Sequence, residues 1–218
     1  MKSALLVVDI QNDFLPGGAL GVAGGDQVVA VANAAMAHFE IVVATQDWHP
    51  ADHGSFASRY PGKSPGELIE LHGVTQVLWP DHCVQDSHGA RFAPDLDTTA
   101  VHAIFPKGTH RAVDSYSGFF DNSRRHETGL AAWLRGQGVT RVCLLGLATD
   151  YCVRFTALDA LAEGFATEVI LSGCRGVNLK PGDADAAVRE IKARGAVIHA
   201  DLDAAVRAKQ GLDFKQGR

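Results

Sequence analysis

No apolar run in this sequence approaches the roughly 18–20 residues that a membrane-crossing helix needs. Cysteine is scarce: there are four, Cys83, Cys143, Cys152 and Cys174, with no Cys-x-x-Cys pair among them. That excludes a dense disulfide framework and points to a reducing compartment. Neither sign of charge dominates, with 20 basic and 25 acidic residues and a net charge of −5. Nucleic acid and anionic membrane surfaces are therefore not expected as partners. The opening MKSALLVVDI carries one lysine and only a short apolar stretch before Asp9, too little for the core of a signal peptide. The expectation is a cytoplasmic protein, with a homo-oligomer left open. Repeats, linkers and low-complexity tracts are also missing, so nothing divides the chain.

What is present is enough for a sizeable core. A chain of 218 residues is read as one domain, 1–218, able to bury roughly 70% of its unfolded surface. Short β-branched runs recur at 4–8, 41–45, 101–105, 141–148, 167–171 and 196–200. Their continuous apolar character suits strands covered on both faces. Helix-period segments fall between them, at 26–39 with Asp26 as N-cap, at 127–137 stopped by Gly138, at 150–162, and at 183–194 stopped by Gly195. Alternation of this kind predicts an α/β fold, three layers deep, around a mostly parallel sheet of about six strands. Residues 47–100 interrupt the alternation with Gly, Pro and His and at most short helices, and so irregular a segment calls for a functional reason.

The polar residues that end the strands carry the chemistry. The first run ends at Asp9, the second leads into Asp47, the third leads through Pro106 to Lys107, and the fourth breaks into TDYC. Ligands in open parallel sheets bind beyond the carboxyl ends of the strands. If those four strands are neighbours, two acids, an amine and a thiol meet on one edge. A lone cysteine is more often a buried structural residue, and Cys143, inside a strand, fits that description. Cys152 stands instead at a strand-to-helix junction, in the first turn of the next helix. The helix N-terminus is expected to lower its pKa, and backbone N–H groups there can hold an oxyanion. Asp9 as proton acceptor and Lys107 as the cation beside it complete a set that would activate the thiol.

In TQDWHPADH, Asp47 and His49 are two apart on an extended segment and so share a face. A metal needs at least a third ligand, and spacing alone leaves His53, His72, His82 and His88 as candidates.

Taken together, VVDIQNDF, TQDWHPADHGSF, WPDHCVQ, FPKG and GLATDYCV resemble the nicotinamidase/pyrazinamidase branch of the isochorismatase-like cysteine hydrolases. The motifs run in order from residue 7 to residue 154. The resemblance implies an isochorismatase-like fold and a catalytic triad of Asp9, Lys107 and Cys152. It implies a divalent metal, zinc first with iron and manganese as alternatives, on Asp47, His49 and His82. His53 aligns with a position that supplies a further ligand in some members. A cis peptide between Leu147 and Ala148 is implied at the oxyanion turn, with the N–H groups of Ala148 and Cys152 as donors. Phe14, Trp79 and Tyr116 match aromatics that hold a pyridine ring, whose nitrogen meets the metal. The implied reaction is hydrolysis of nicotinamide, and of pyrazinamide, through a thioester, a step of NAD salvage. A related cysteine amidase acting on a carbamoyl compound, or a non-catalytic binding protein on the same fold, are the competing readings.

Overall fold

The structure is a computed structural model and describes residues 2–216. Along the chain lie β1 (Lys2–Val8), α1 (Gln27–Met36), β2 (Ile41–Asp47), β3 (Leu68–Leu71), β4 (Val74–Val77), β5 (Ala103–Lys107), α2 (Leu130–Gly136), β6 (Val139–Leu147), α3 (Arg154–Ala162), β7 (Ala166–Arg175), α4 (Asp183–Ala193), β8 (Val197–His199) and α5 (Leu202–Gln216). Six strands form one sheet in the order β5-β2-β1-β6-β7-β8, with every neighbouring pair parallel. The strands run through each of the six apolar stretches of the sequence.

Right-handed crossovers put α1 on one face and α2, α3 and α4 on the other, which makes the three layers. The C-terminal α5 joins the α1 side, where the Lys209 ammonium lies 4.6 Å from the Phe39 ring centre and donates to the His38 carbonyl at 2.6 Å. Covering both faces buries Leu5, Leu6, Val7 and Val8 of β1 and Leu144 and Leu145 of β6 completely. Truncating a leucine there to alanine should cost about 2–5 kcal/mol, so the centre of the sheet is a stiff platform.

Several local expectations needed correction. Asp26 does not cap α1: it is itself in the helical region and makes no side-chain capping bond. Gly138 and Gly195 do end their helices, at φ 72° and 108°. The 47–100 segment is not purely irregular, because β3 and β4 pair antiparallel as a hairpin. Its tight turn places His72 and Gly73 at φ 50° and 84°, as a two-residue hairpin turn with both residues at positive φ requires. The final helix, α5, was not anticipated, although Asp201 Oδ1 accepts from the Ala204 N–H at 2.8 Å in N-cap fashion.

Candidate active site

The connections explain why reactive groups gather where they do. From β1 the chain moves outward to β2 and β5, then returns past β1 to β6 and moves the other way. The crevice at that reversal, between the carboxyl ends of β1 and β6, is where an open sheet binds ligands. Asp9 follows β1, Asp47 ends β2, Lys107 ends β5, and Cys152 lies just past β6. The four strand ends are therefore adjacent, and their side chains meet.

Lys107 is the hub. Its Nζ lies 2.9 Å from Asp9 Oδ2, 3.3 Å from Cys152 Sγ and 3.0 Å from the Ser115 carbonyl, and it also binds Asp47 Oδ1. All four side chains are buried. Burial alone would push the lysine down, but the Asp47 and Asp9 carboxylates outweigh it and hold the ammonium well above its ordinary range. Asp9 is raised, chiefly by burial and further by Asp47, against the pull of Lys107 and of the Thr45 hydroxyl, which donates to Oδ1 at 2.6 Å. Asp9 Oδ2 is reached by the ammonium but has no aligned hydrogen bond, and an Asp9 carboxylate oxygen lies within 4.8 Å of the Cys152 sulfur.

Cys152 occupies a π-helical turn, Thr149–Val153, that runs directly into α3. The α-helix begins only at Arg154, so Cys152 lies just before it rather than inside its first turn as the sequence suggested. The expected lowering of its pKa is overturned: burial pushes the thiol well up, Lys107 offsets part of that, and the Asp9 and Asp47 carboxylates add to it. The peptide between Leu147 and Ala148, at the entry to this turn, is cis.

A second cluster adjoins the first. Asp47 Oδ2 lies 3.5 Å from His49 Nε2 and 3.7 Å from His82 Nε2. His49 Nδ1 is 2.9 Å from the Gly108 carbonyl and His82 Nδ1 is 2.8 Å from the Pro80 carbonyl. Donating there leaves both Nε2 lone pairs turned toward the carboxylate, the orientation that outer hydrogen bonds give to metal-binding histidines. The approach of His49 depends on glycine next door: a Cβ on Gly108 would sit 2.3 Å from the imidazole ring. The buried donor atoms of Asp47, His49 and His82 all lie within 4.8 Å of one another, a donor set suited to one divalent ion.

His53 is not part of that trio, but its ring centre lies 4.3 Å from that of His49, and it groups with His49 and Asp114 in a second set of buried donors. Its Nδ1 is 2.7 Å from Ser55 Oγ and its Nε2 3.3 Å from the Val113 carbonyl, so both ring nitrogens are already engaged. Burial brings it down to about 4, a neutral imidazole that donates from Nε2. His72 and His88 are outside the cluster among the described residues.

The lining of the cavity above these groups includes Asp47, His82, Ala148 and Cys152 together with Phe14, Trp79 and Tyr116. A larger open hollow near Arg59 and Arg111 touches none of the reactive groups. Trp79 and Tyr116 meet Tyr151 edge-on, with ring centres 4.8 and 5.3 Å away. The Tyr116 hydroxyl accepts from Gln76 Nε2 at 3.0 Å and Trp79 Nε1 at 3.3 Å. Gln76, on the hairpin, also donates to Asp114 at 2.9 Å. Tyr151, Asp114, Leu20 and Val177 also line the cavity and were not singled out from the sequence. Only Tyr151, next to the cysteine in TDYC, had a signal there.

Comparison with known proteins agrees with this arrangement. The isochorismatase domain family matches residues 3–200. A nicotinamidase of Escherichia coli (strain K12) is 51% identical over 204 residues, which cover 92% of this chain and 95% of that protein. A solved nicotinamidase/pyrazinamidase of Acinetobacter baumanii is 46% identical with a TM-score of 0.88, covering 90% of this chain and 95% of its own. A pyrazinamidase of Pyrococcus horikoshii, solved in complex with zinc, is 41% identical with a TM-score of 0.74, over 91% of this chain and 99% of its own.

Proposed function

We propose that this chain, which belongs to the isochorismatase domain family, is a cysteine amidase that hydrolyses nicotinamide, and pyrazinamide, to the acid and ammonia. One observation carries the reading. A buried ammonium holds a carboxylate at 2.9 Å and a thiol at 3.3 Å, and that thiol opens into a cavity walled by aromatic rings. Nicotinamidases and pyrazinamidases are the proteins this chain resembles over nearly its whole length.

The ring of the substrate lies among Phe14, Trp79 and Tyr116, with its carboxamide toward Cys152. Asp47, His49 and His82 would hold one divalent ion, zinc first, which when bound supplies a Lewis-acid anchor for the ring nitrogen. Burial raises Asp9, which makes it a stronger base than an exposed carboxylate. It takes the thiol proton as sulfur attacks the carbonyl carbon, and Lys107 holds acid and sulfur together throughout. The N–H groups of Ala148 and Cys152 receive the oxyanion, each donor worth roughly 2.7–4 kcal/mol of barrier. Asp9 then gives its proton to the amide nitrogen, the C–N bond breaks and ammonia leaves a thioester. A water, losing its proton to the same carboxylate, attacks that thioester. The C–S bond breaks, the sulfur takes the proton back, and the carboxylic acid is released.

The test is ammonia release from nicotinamide by the purified protein, before and after chelation. Release that chelation suppresses and a divalent ion restores is expected. A protein that releases no ammonia from nicotinamide or pyrazinamide in its metal-loaded form would refute the proposal.

A further inference from the structure

The stretch DIQNDF contributes Asp9 and Phe14 to the site, but two of its other side chains have no part in the scheme above and are firmly bound. The β1–β2 backbone ladder ends at Val8 and Thr45, because Asp9 turns the chain away at φ 47°. Side-chain and hydrogen-bonding directions alternate along a strand, so Asp47 is the next residue of β2 whose N–H and C=O face β1. No β1 peptide is there to meet them. The Gln11 carboxamide takes its place: Oε1 accepts from the Asp47 N–H at 2.7 Å, and Nε2 donates to the Asp47 carbonyl at 2.8 Å. A second donor hydrogen of Nε2 goes to the Ala90 carbonyl, also at 2.8 Å. Gln11 is fully buried, and only an amide offers this combination of donor and acceptor.

Two residues on, Asp13 Oδ2 accepts from the Cys83 N–H at 2.7 Å, and Oδ1 from the Ala19 N–H at 3.3 Å. Its own N–H donates to the Gly89 carbonyl at 3.0 Å. A Cβ on Gly89 would lie 1.9 Å from Oδ2, so that glycine makes room for the carboxylate. Cys83, at φ 46°, is held from its other side by the His49 N–H, 2.9 Å from its carbonyl. His82 is the residue just before it. The two backbone segments that carry Asp47 with His49 and His82 are thus tied to one strap leaving β1.

We propose that Gln11 and Asp13 are positioning residues for the metal site: Gln11 fixes the Asp47 backbone, and Asp13 fixes His82 through Cys83. This inference rests on the metal reading of Asp47, His49 and His82. Outer partners that orient ligands typically change metal affinity 10–100-fold when removed, and that is the size of effect expected. The experiment uses Gln11→Glu, which keeps the shape but turns an acceptor toward two carbonyls, and Asp13→Asn, which keeps one acceptor oxygen of two. For each, the Zn²⁺ dissociation constant is measured by chelator competition far below the melting temperature. The Co²⁺ absorption spectrum and the melting temperature of the chelated protein are recorded beside it.

Support is a dissociation constant weakened about 10–100-fold in Gln11→Glu and less in Asp13→Asn, with a displaced Co²⁺ spectrum and turnover recovered by excess metal. A purely structural role would lower the melting temperature and leave the metal constant unchanged, and a wild-type constant in a folded variant overturns the proposal. Should Gln11→Glu fail to fold, Asp13→Asn decides by the same titration. A wild-type protein that binds no Zn²⁺ would overturn the metal reading itself, an outcome separate from wild-type affinity in the variants.

Discussion

Replacing Lys107 with methionine removes the charge and keeps most of the packing. In the chelated protein this leaves Asp9 and Asp47 buried together, after the loss of a cation 2.9 Å from one and bound to the other. Breaking a buried ion pair from one side costs about 3–5 kcal/mol. Set against a whole-domain stability of about 5–15 kcal/mol, that is a large fraction. At about 2–4 °C per kcal/mol for a chain of this size, the melting temperature should fall by about 6–20 °C. The deficit should depend on pH, with a definite sign. Lys107 is among the forces that lower both carboxylates, and it helps to hold Asp47 well below its ordinary value. Without it, burial raises Asp9 further above the unfolded value of about 4, and Asp47 rises as well, held down then by His49 and His82, so the folded state holds a proton on Asp9 that the unfolded state has released. Stability then falls as pH rises through the raised pKa values, and the deficit is smaller near about pH 5 than near about pH 8. Circular-dichroism melts of chelated wild type and Lys107→Met at both pH values measure this. A deficit that is absent, or equal at the two pH values, would refute the reasoning that Lys107 neutralises two buried carboxylates.

Other outcomes follow from the same geometry. Asp9→Asn should lower kcat by about 10²–10⁴-fold, the usual worth of a positioned proton acceptor, with nicotinamide binding retained in a calorimetric titration. In the intact enzyme kcat/KM should decline on the acid side at a pH above the ordinary carboxylate range, because burial raises Asp9; a profile flat down to about pH 4 would contradict this. Asp47→Ala or His49→Ala should empty the metal site by elemental analysis and raise KM, and a variant with full metal content would remove the residue from the ligand set. Tyr116→Phe deletes a hydroxyl that accepts from Trp79 and from Gln76, which keeps Asp114 and the Val77 carbonyl as acceptors, and should cost about 1–3 kcal/mol in a denaturant titration for the Trp79 N–H left unpaired.

The sheet was legible because its evidence is local: six apolar runs separated by helix-period segments leave little choice but an α/β fold. Which polar residues terminate those runs is local as well, so Asp9, Asp47, Lys107 and Cys152 could be nominated together. Their adjacency was conditional on strand order, which no single run encodes. The state of Cys152 was misjudged because a helix terminus is visible in sequence, while the burial and the two carboxylates that push the thiol up arise only from packing. The third histidine was ambiguous for a related reason. His82 is brought to Asp47 by the bond between the His49 N–H and the Cys83 carbonyl, and spacing cannot express that contact. The hairpin escaped notice because each strand has only four residues and Leu68 points outward, too short and too exposed a pattern to stand out. Gln76, which donates to the Tyr116 hydroxyl and to Asp114, and Asp114, which lines the cavity, come from segments without periodicity. Gln11 is the opposite case: it lies in a motif quoted for its acid, yet its work is visible only once its amide is seen to continue the β1–β2 ladder.

Whether Cys152 carries the acyl group is read by mass spectrometry of protein acid-quenched during turnover of nicotinamide. A nicotinoyl adduct is expected on the peptide containing Cys152, with no adduct and no ammonia from Cys152→Ala. Sustained ammonia release by Cys152→Ala, or an adduct on another residue, would contradict it.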